Sequence, residues 1–112
     1  MTGRSKEKAD RFKRLMVDFF EELGFTVYAR SIGEEGDDLV LLDFPTVSIE
    51  LKNRARMELA EWWKQTESQA GVRMPILIHK RQARGQAEDQ WVTMDLQTLL
   101  RLLAPHRVPL DR

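Results

Sequence analysis

The stretch Gly36 to Lys52, GDDLVLLDFPTVSIELK, narrows what this chain can fold into more than any other. It reads as two short strands joined by a turn at Asp43-Phe44-Pro45-Thr46. Strand side chains alternate between faces, so Glu50 and Lys52 point one way while Ile49 and Leu51 point the other. In an antiparallel hairpin the start of the first strand lies beside the end of the second. Asp38, from the acidic pair Asp37-Asp38, therefore comes close to Glu50 and Lys52. Two carboxylates and an ammonium meeting at one sheet edge are costly unless a divalent cation or a polar substrate sits there.

The flanking segments supply the layers that such a hairpin needs. Phe12, Leu15, Met16, Phe19, Phe20 and Leu23 recur at helical spacing, with Gly24 as the stop. The charges of this helix run basic early and acidic late, the reverse of what the helix dipole prefers, which suggests a use for basic residues at that end. Phe25 to Arg30 is rich in β-branched and aromatic residues and reads as a strand; Ser31 to Gly36 reads as a loop. After Lys52, residues Met57, Leu59, Ala60, Trp63 and Ala70, with Trp62 a further possibility, supply the apolar side of a second helix that Gly71 ends. Trp62 and Trp63 are adjacent and cannot both face one core. Met74 to Lys80 is an apolar run suited to a buried strand. A polar loop from Gln82 to Gln90 leads to an edge strand at Trp91 to Met94. Asp95 then caps a last helix through Leu96, Leu99, Leu100, Leu102 and Leu103. The expected architecture is α/β: an αβββαβ core with a central mixed sheet flanked by helices, plus a short strand and a C-terminal helix. A length of 112 residues makes one domain, with 1–7 read as a flexible basic arm and 104–112 as an irregular tail.

Composition excludes several classes. With no cysteine there is neither a disulfide scaffold nor a thiolate metal site, which suits a reducing cytoplasm. No run reaches the length of a membrane span, and Met1 to Lys8 is polar and unlike a signal sequence. The formal net charge is zero, yet its distribution is uneven. Residues 1–14 carry six basic and two acidic residues, 18–50 one basic and nine acidic, and 52–86 eight basic and three acidic. Basic flanks around an acidic centre are a solvated surface or a device that grips phosphates around a bound cation; charge alone divides these evenly.

Gly36-Asp37-Asp38-Leu39-Val40 and Ile49-Glu50-Leu51-Lys52, set in that order of elements, resemble the PD-(D/E)XK nuclease superfamily. Within it the chain is most similar to the small Holliday junction resolvases of archaea and phages. The segment Pro75 to Arg81 and the close from Trp91 to Met94 with its leucine-rich helix add to the likeness, which spans roughly Lys8 to Leu103. The resemblance implies a restriction-endonuclease-like fold and a Mg²⁺- or Mn²⁺-dependent endonuclease. Asp38, Glu50 and the Leu51 carbonyl would hold the metal, and Lys52 would orient or help deprotonate the attacking water. It further implies branched DNA, a four-way junction above all, as substrate, a homodimer, and no membrane partner. Arg11, Lys13, Arg54, Lys80, Arg81 and Arg84 would contact DNA. The chain departs from the pattern in having Gly36 where the motif name has proline, and Asp37 as an alternative to Asp38. The helix-one glutamate of these resolvases has its nearest match in Asp10, followed by Glu7. Gln65 and Gln69 lie where superfamily members often place a glutamine, though solvated helix surface is the plainer reading of either. His79 reads as structural. Two further readings stay open: another nuclease of this superfamily that nicks, restricts or repairs duplex or flapped DNA, and a non-catalytic nucleic-acid-binding module on the same fold.

Overall fold

The amphipathic period around Phe12 becomes a 20-residue helix, α1 (Gly3–Glu22), in a computed structural model that describes residues 3–31 and 34–110. Ser5 to Ala9 contains no helix breaker and two lysines and a glutamate that favour helix, so α1 reaches back to Gly3. Arg4 and Lys6, within the stretch read as a basic arm, are thus helical, as is Lys8; residues 1 and 2 lie outside the described ones. Gly24 follows at a positive φ of 93°, the backbone state that ends the helix and turns the chain.

Five strands form one sheet: β1 (Val27–Ala29), β2 (Leu39–Leu41), β3 (Val47–Lys52), β4 (Met74–His79) and β5 (Trp91–Thr93), in the spatial order β1-β2-β3-β4-β5. β1, β2 and β3 make an antiparallel meander, β5 adds antiparallel at the far edge, and β3 and β4 run parallel. The parallel pair is joined through helix α2 (Leu59–Ala70), because a parallel connection needs a crossover long enough to return the chain. Helix α3 (Leu96–Leu103) closes the chain before a 3₁₀ turn at Ala104–His106, so the tail is not wholly irregular. Strand β1 is shorter than Phe25 to Arg30 suggested, and Phe25 instead packs its ring against Phe20 and Phe44.

The two faces of the sheet differ in chemistry. Val47 and Ile49 join Leu39, Leu41 and Ile78 against Phe12 and Met16 of α1, forming the apolar core. The alternate positions Ser48, Glu50, Leu77 and His79 face α2 and are also buried. This second face is polar, and α2 answers it with Trp62, Thr66 and Ala70 at positions i, i+4 and i+8. Of the apolar side expected from Met57, Leu59, Ala60, Trp63 and Ala70, Ala70 is buried, as is Trp62, while the others are not. Met57 precedes the helix, Leu59 is exposed and Trp63 is half-buried, while Trp62 is the tryptophan turned to the sheet.

Helix α3 buries little. Asp95 takes the N-cap position, but its carboxylate accepts from the Thr98 hydroxyl instead of capping a backbone N–H. Thr98 is buried and Leu102 half-buried, whereas Leu96, Leu99, Leu100 and Leu103 stay exposed. No helix among the described residues is long and apolar enough to cross a membrane.

Candidate active site

The register of the meander sets the site. Leu39 pairs with Ile49 in antiparallel strands, so Asp38, one step before, lies across from Glu50, one step after. The Leu51 N–H donates to Asp38 Oδ2 at 2.8 Å and pins that carboxylate to β3. A cleft of about 820 Å³ opens over this end of the sheet. Asp38, Glu50, Leu51 and Lys52 line its floor, Lys8, Phe12 and Lys13 of α1 one wall, and Trp62 and Gln65 of α2 the other. The loop carrying Arg54, Arg56 and Glu58 forms the rim. Asn53 Nδ2 donates to the Lys8 carbonyl at 3.4 Å, tying that loop to α1.

Glu50 is the most perturbed acid of the site. Burial raises its pKa to about 8, and the Asp38 charge adds to the rise. Lys52 opposes this, while a hydrogen bond with Asp38 and the charge of Asp37 push further upward. Glu50 therefore holds a proton near neutrality. A cation at the pair would take the place of that proton.

Asp37 and Asp38, adjacent in sequence, have different surroundings. Asp37 is fully buried and receives Arg73 at 3.0 Å and Arg30 at 3.5 Å. Arg73 also donates to the carbonyls of Gln69 and Ala70 at the end of α2. Asp37 thereby ties the start of β2 to the exit of β1 and to α2, while Asp38 alone of the pair lines the cleft. Asp37, and not Gly36, immediately precedes the cleft-lining Asp38. Gly36 has its own role: at φ 115° it lets the Arg30 guanidinium cross where a Cβ would come within 2.5 Å of Nε.

The remaining sequence-chosen residues fall in different places. Asp10 is half-buried and Glu7 exposed, and neither lines the cleft, whose α1 wall follows the stripe of Ser5, Ala9, Phe12 and Lys13. Lys13 is in that wall and donates from Nζ to the Arg30 carbonyl. Arg11 lies beside Lys80 and Gln82 in a smaller, adjoining hollow. Lys80 turns back to its own loop, donating to the carbonyls of Arg81 and Arg84. Arg81 sits over the Trp91 ring, 5.2 Å from its centroid, and Arg84 is exposed. Gln65 reaches the cleft, whereas Gln69 is exposed at the far end of α2. His79 is buried, its Nε2 2.8 Å from Thr93 Oγ1, and burial pushes its pKa down, favouring the neutral imidazole. Lys8 and Arg56 were missed. The i, i+4 relation of Lys8 to Phe12 was the available signal for the first; Arg56 had none beyond its place after Lys52.

Among the described residues no group of three or more His, Asp or Glu side chains is placed to hold a metal; the convergent acids are two. Set against protein-family models, curated proteins and solved structures, the chain gives no match.

Proposed function

We propose that this chain is a metal-dependent, structure-selective DNA endonuclease, and within that class a Holliday junction resolvase. The observation that carries the reading is the convergence of Asp38, Glu50 and Lys52 on the floor of a cleft whose walls and rim hold Lys8, Lys13, Arg54 and Arg56. An αβββαβ core with β3 and β4 parallel and α2 as the crossover is consistent with the restriction-endonuclease-like fold. Carboxylates facing a phosphodiester repel it, so a pure binding module gains nothing from this pair.

The residues fit a Mg²⁺-type cation. Such ions are held by one or two carboxylates and keep several waters, and Asp38 and Glu50 supply those two, with the Leu51 carbonyl as a further oxygen. Glu50 retains a proton without a cation because burial disfavours its charged form and the Asp38 carboxylate adds to that, and a bound cation would offset both. When bound, the cation polarises the phosphoryl oxygen and acidifies water. The chain's own groups do the rest. The Lys52 ammonium orients the attacking water and offsets the charge that builds on the phosphate as the new P–O bond forms and the opposite one breaks. Lys8, Lys13, Arg54 and Arg56 hold flanking phosphates and fix the in-line direction.

Two expectations follow from the surface. Binding should fall steeply with salt, roughly a thousandfold or more from 50 to 200 mM if six phosphates are neutralised. Fluorescence anisotropy at several ionic strengths measures this, and a flat response would remove the electrostatic part of the reading. The homodimer needs an apolar contact, and the exposed Leu96, Leu99, Leu100 and Leu103 on α3, with Val92 of β5 also exposed, offer one. Together they expose on the order of 500 Å², more than half of the roughly 800 Å² that each partner of a standard interface buries. Leu99→Lys with Leu103→Lys should therefore halve the mass in sedimentation equilibrium and leave the monomer folded. A wild type that sediments as a monomer would exclude this contact.

The deciding experiment compares a labelled four-way junction with its linear duplex, in Mg²⁺ and in EDTA. Paired symmetric nicks in the junction, abolished by EDTA, are the expected result. Cutting of duplex or flaps keeps the site and changes the substrate; binding without cutting in Mg²⁺ or Mn²⁺ overturns the enzyme.

A further inference from the structure

Trp91 has no part in the chemistry above, yet it is the most exposed tryptophan of the chain at 48%. It opens β5 at the sheet edge. Lys52 pairs with His79, and His79 pairs with Trp91, so the three form one row across adjacent strands on the face turned to α2. With strands about 4.8 Å apart, the Trp91 backbone lies about 10 Å from that of Lys52. At a rise of about 3.4 Å per nucleotide, that is some three nucleotides along a stacked strand.

The indole is braced and flanked by cations. The buried His79 ring meets it in a T-shaped contact with centroids 6.1 Å apart, and on its other side meets Trp62 of the cleft wall at 5.9 Å. The Arg81 guanidinium sits over the indole, 5.2 Å from its centroid. Arg84 is exposed on the same loop, and Gln82 Nε2 donates to the Arg54 carbonyl at 3.0 Å, joining that loop to the cleft rim. Positive charge and a fixed aromatic surface thus continue from the cleft to the sheet edge.

A rigid, half-exposed indole beside a guanidinium is the chemistry that stacks a nucleobase, whatever its identity. A base inside a duplex is already stacked on both sides and cannot reach it; an unpaired base can. We infer that Trp91, with Arg81, is a stacking platform for an unpaired base flanking the phosphate held at Asp38, Glu50 and Lys52. The platform rests on the nuclease reading and narrows its substrate to DNA in which a base near the cut has left the helix. For a base to stack, the Arg81 guanidinium, which lies over the indole, would have to move to the phosphate of that nucleotide.

The test is binding of the full chain in EDTA, where no cleavage intervenes, to a labelled duplex and to the same duplex carrying a short single-stranded flap. Trp91→Ala should lose about tenfold on the flapped DNA and nothing on the duplex, and Trp91→Phe should retain most of the affinity. Arg81→Ala, a change on the loop, should weaken the flapped complex in the same direction, and circular dichroism checks that each variant is folded. Equal affinity of wild type and Trp91→Ala for the flapped DNA, or equal loss on both DNAs, overturns the platform and leaves the nuclease reading standing. A lower sedimentation mass of Trp91→Ala would assign the indole to a subunit contact instead. Failure of the wild type to bind either DNA, in EDTA and in Mg²⁺ alike, overturns both readings.

Discussion

Glu50→Gln should abolish cleavage, by at least about a hundredfold, in a variant that folds and binds DNA as tightly as wild type or more so. The substitution keeps the shape of the side chain and removes the charge that the proposed cation would bind. It also removes a pH liability. Glu50 ionises near 4.5 when free and near 8 in the fold, so the folded protein holds a proton that the unfolded chain has released. A group with a raised folded pKa contributes most below its unfolded value, and its contribution is lost as pH rises towards the folded one. Cation-free wild type should therefore lose stability relative to Glu50→Gln between about pH 4.5 and 8. His79 runs the other way, since its lowered pKa costs stability as pH falls below 6.5. Both proteins share that histidine, so the difference between their melting curves isolates Glu50. Added Mg²⁺ should stabilise wild type and displace up to about one proton per ion in this window, with no such release from Glu50→Gln. Full cleavage by the variant would remove the site.

Asp37→Ala has its largest effect on stability. It leaves the Arg30 and Arg73 guanidiniums without their shared carboxylate and releases the start of β2 from α2. Deleting one partner of a buried ion pair costs about 3–5 kcal/mol, and the partial exposure of both arginines places this case near 3. In a domain of this size that lowers the melting temperature by roughly 10–15 °C. Thermal unfolding in the absence of metal measures it, and an unchanged melting temperature would show that the ion pairs are dispensable. Two neighbouring aspartates are thus expected to fail differently. Asp37→Ala weakens the fold, and Asp38→Asn, like Glu50→Gln, stops the chemistry of a fold that stays intact.

Local pattern carried α1, the meander, the parallel strand after α2 and the meeting of Asp38 with Glu50 and Lys52. Each follows from a short-range period or from hairpin geometry, in which side-chain direction and cross-strand neighbours are set by counting residues. The face of α2 was not legible this way. Trp62 and Trp63 are equally apolar, and choosing between them depends on Ser48, Glu50 and His79 beneath the helix, which belong to other segments. Asp10 shows the limit from another side. It is an acid on the right helix, but the rotation of α1 that seats Phe12 and Met16 in the core carries it off the cleft wall. The difference between Asp37 and Asp38 also needed the assembled fold, because only there does Arg73, thirty-six residues further on, reach one carboxylate and not the other.

By itself, then, the sequence determined the strands, the first helix and the alternation that brings two carboxylates and a lysine to one edge, because those properties live within a few residues of chain. Tertiary structure alone decided which aspartate faces the cleft, which tryptophan forms its wall, that Trp91 lies in the row of Lys52, and that the α3 leucines stay uncovered. These depend on which distant groups share a space, and there burial, desolvation and charge act between segments that no local period connects.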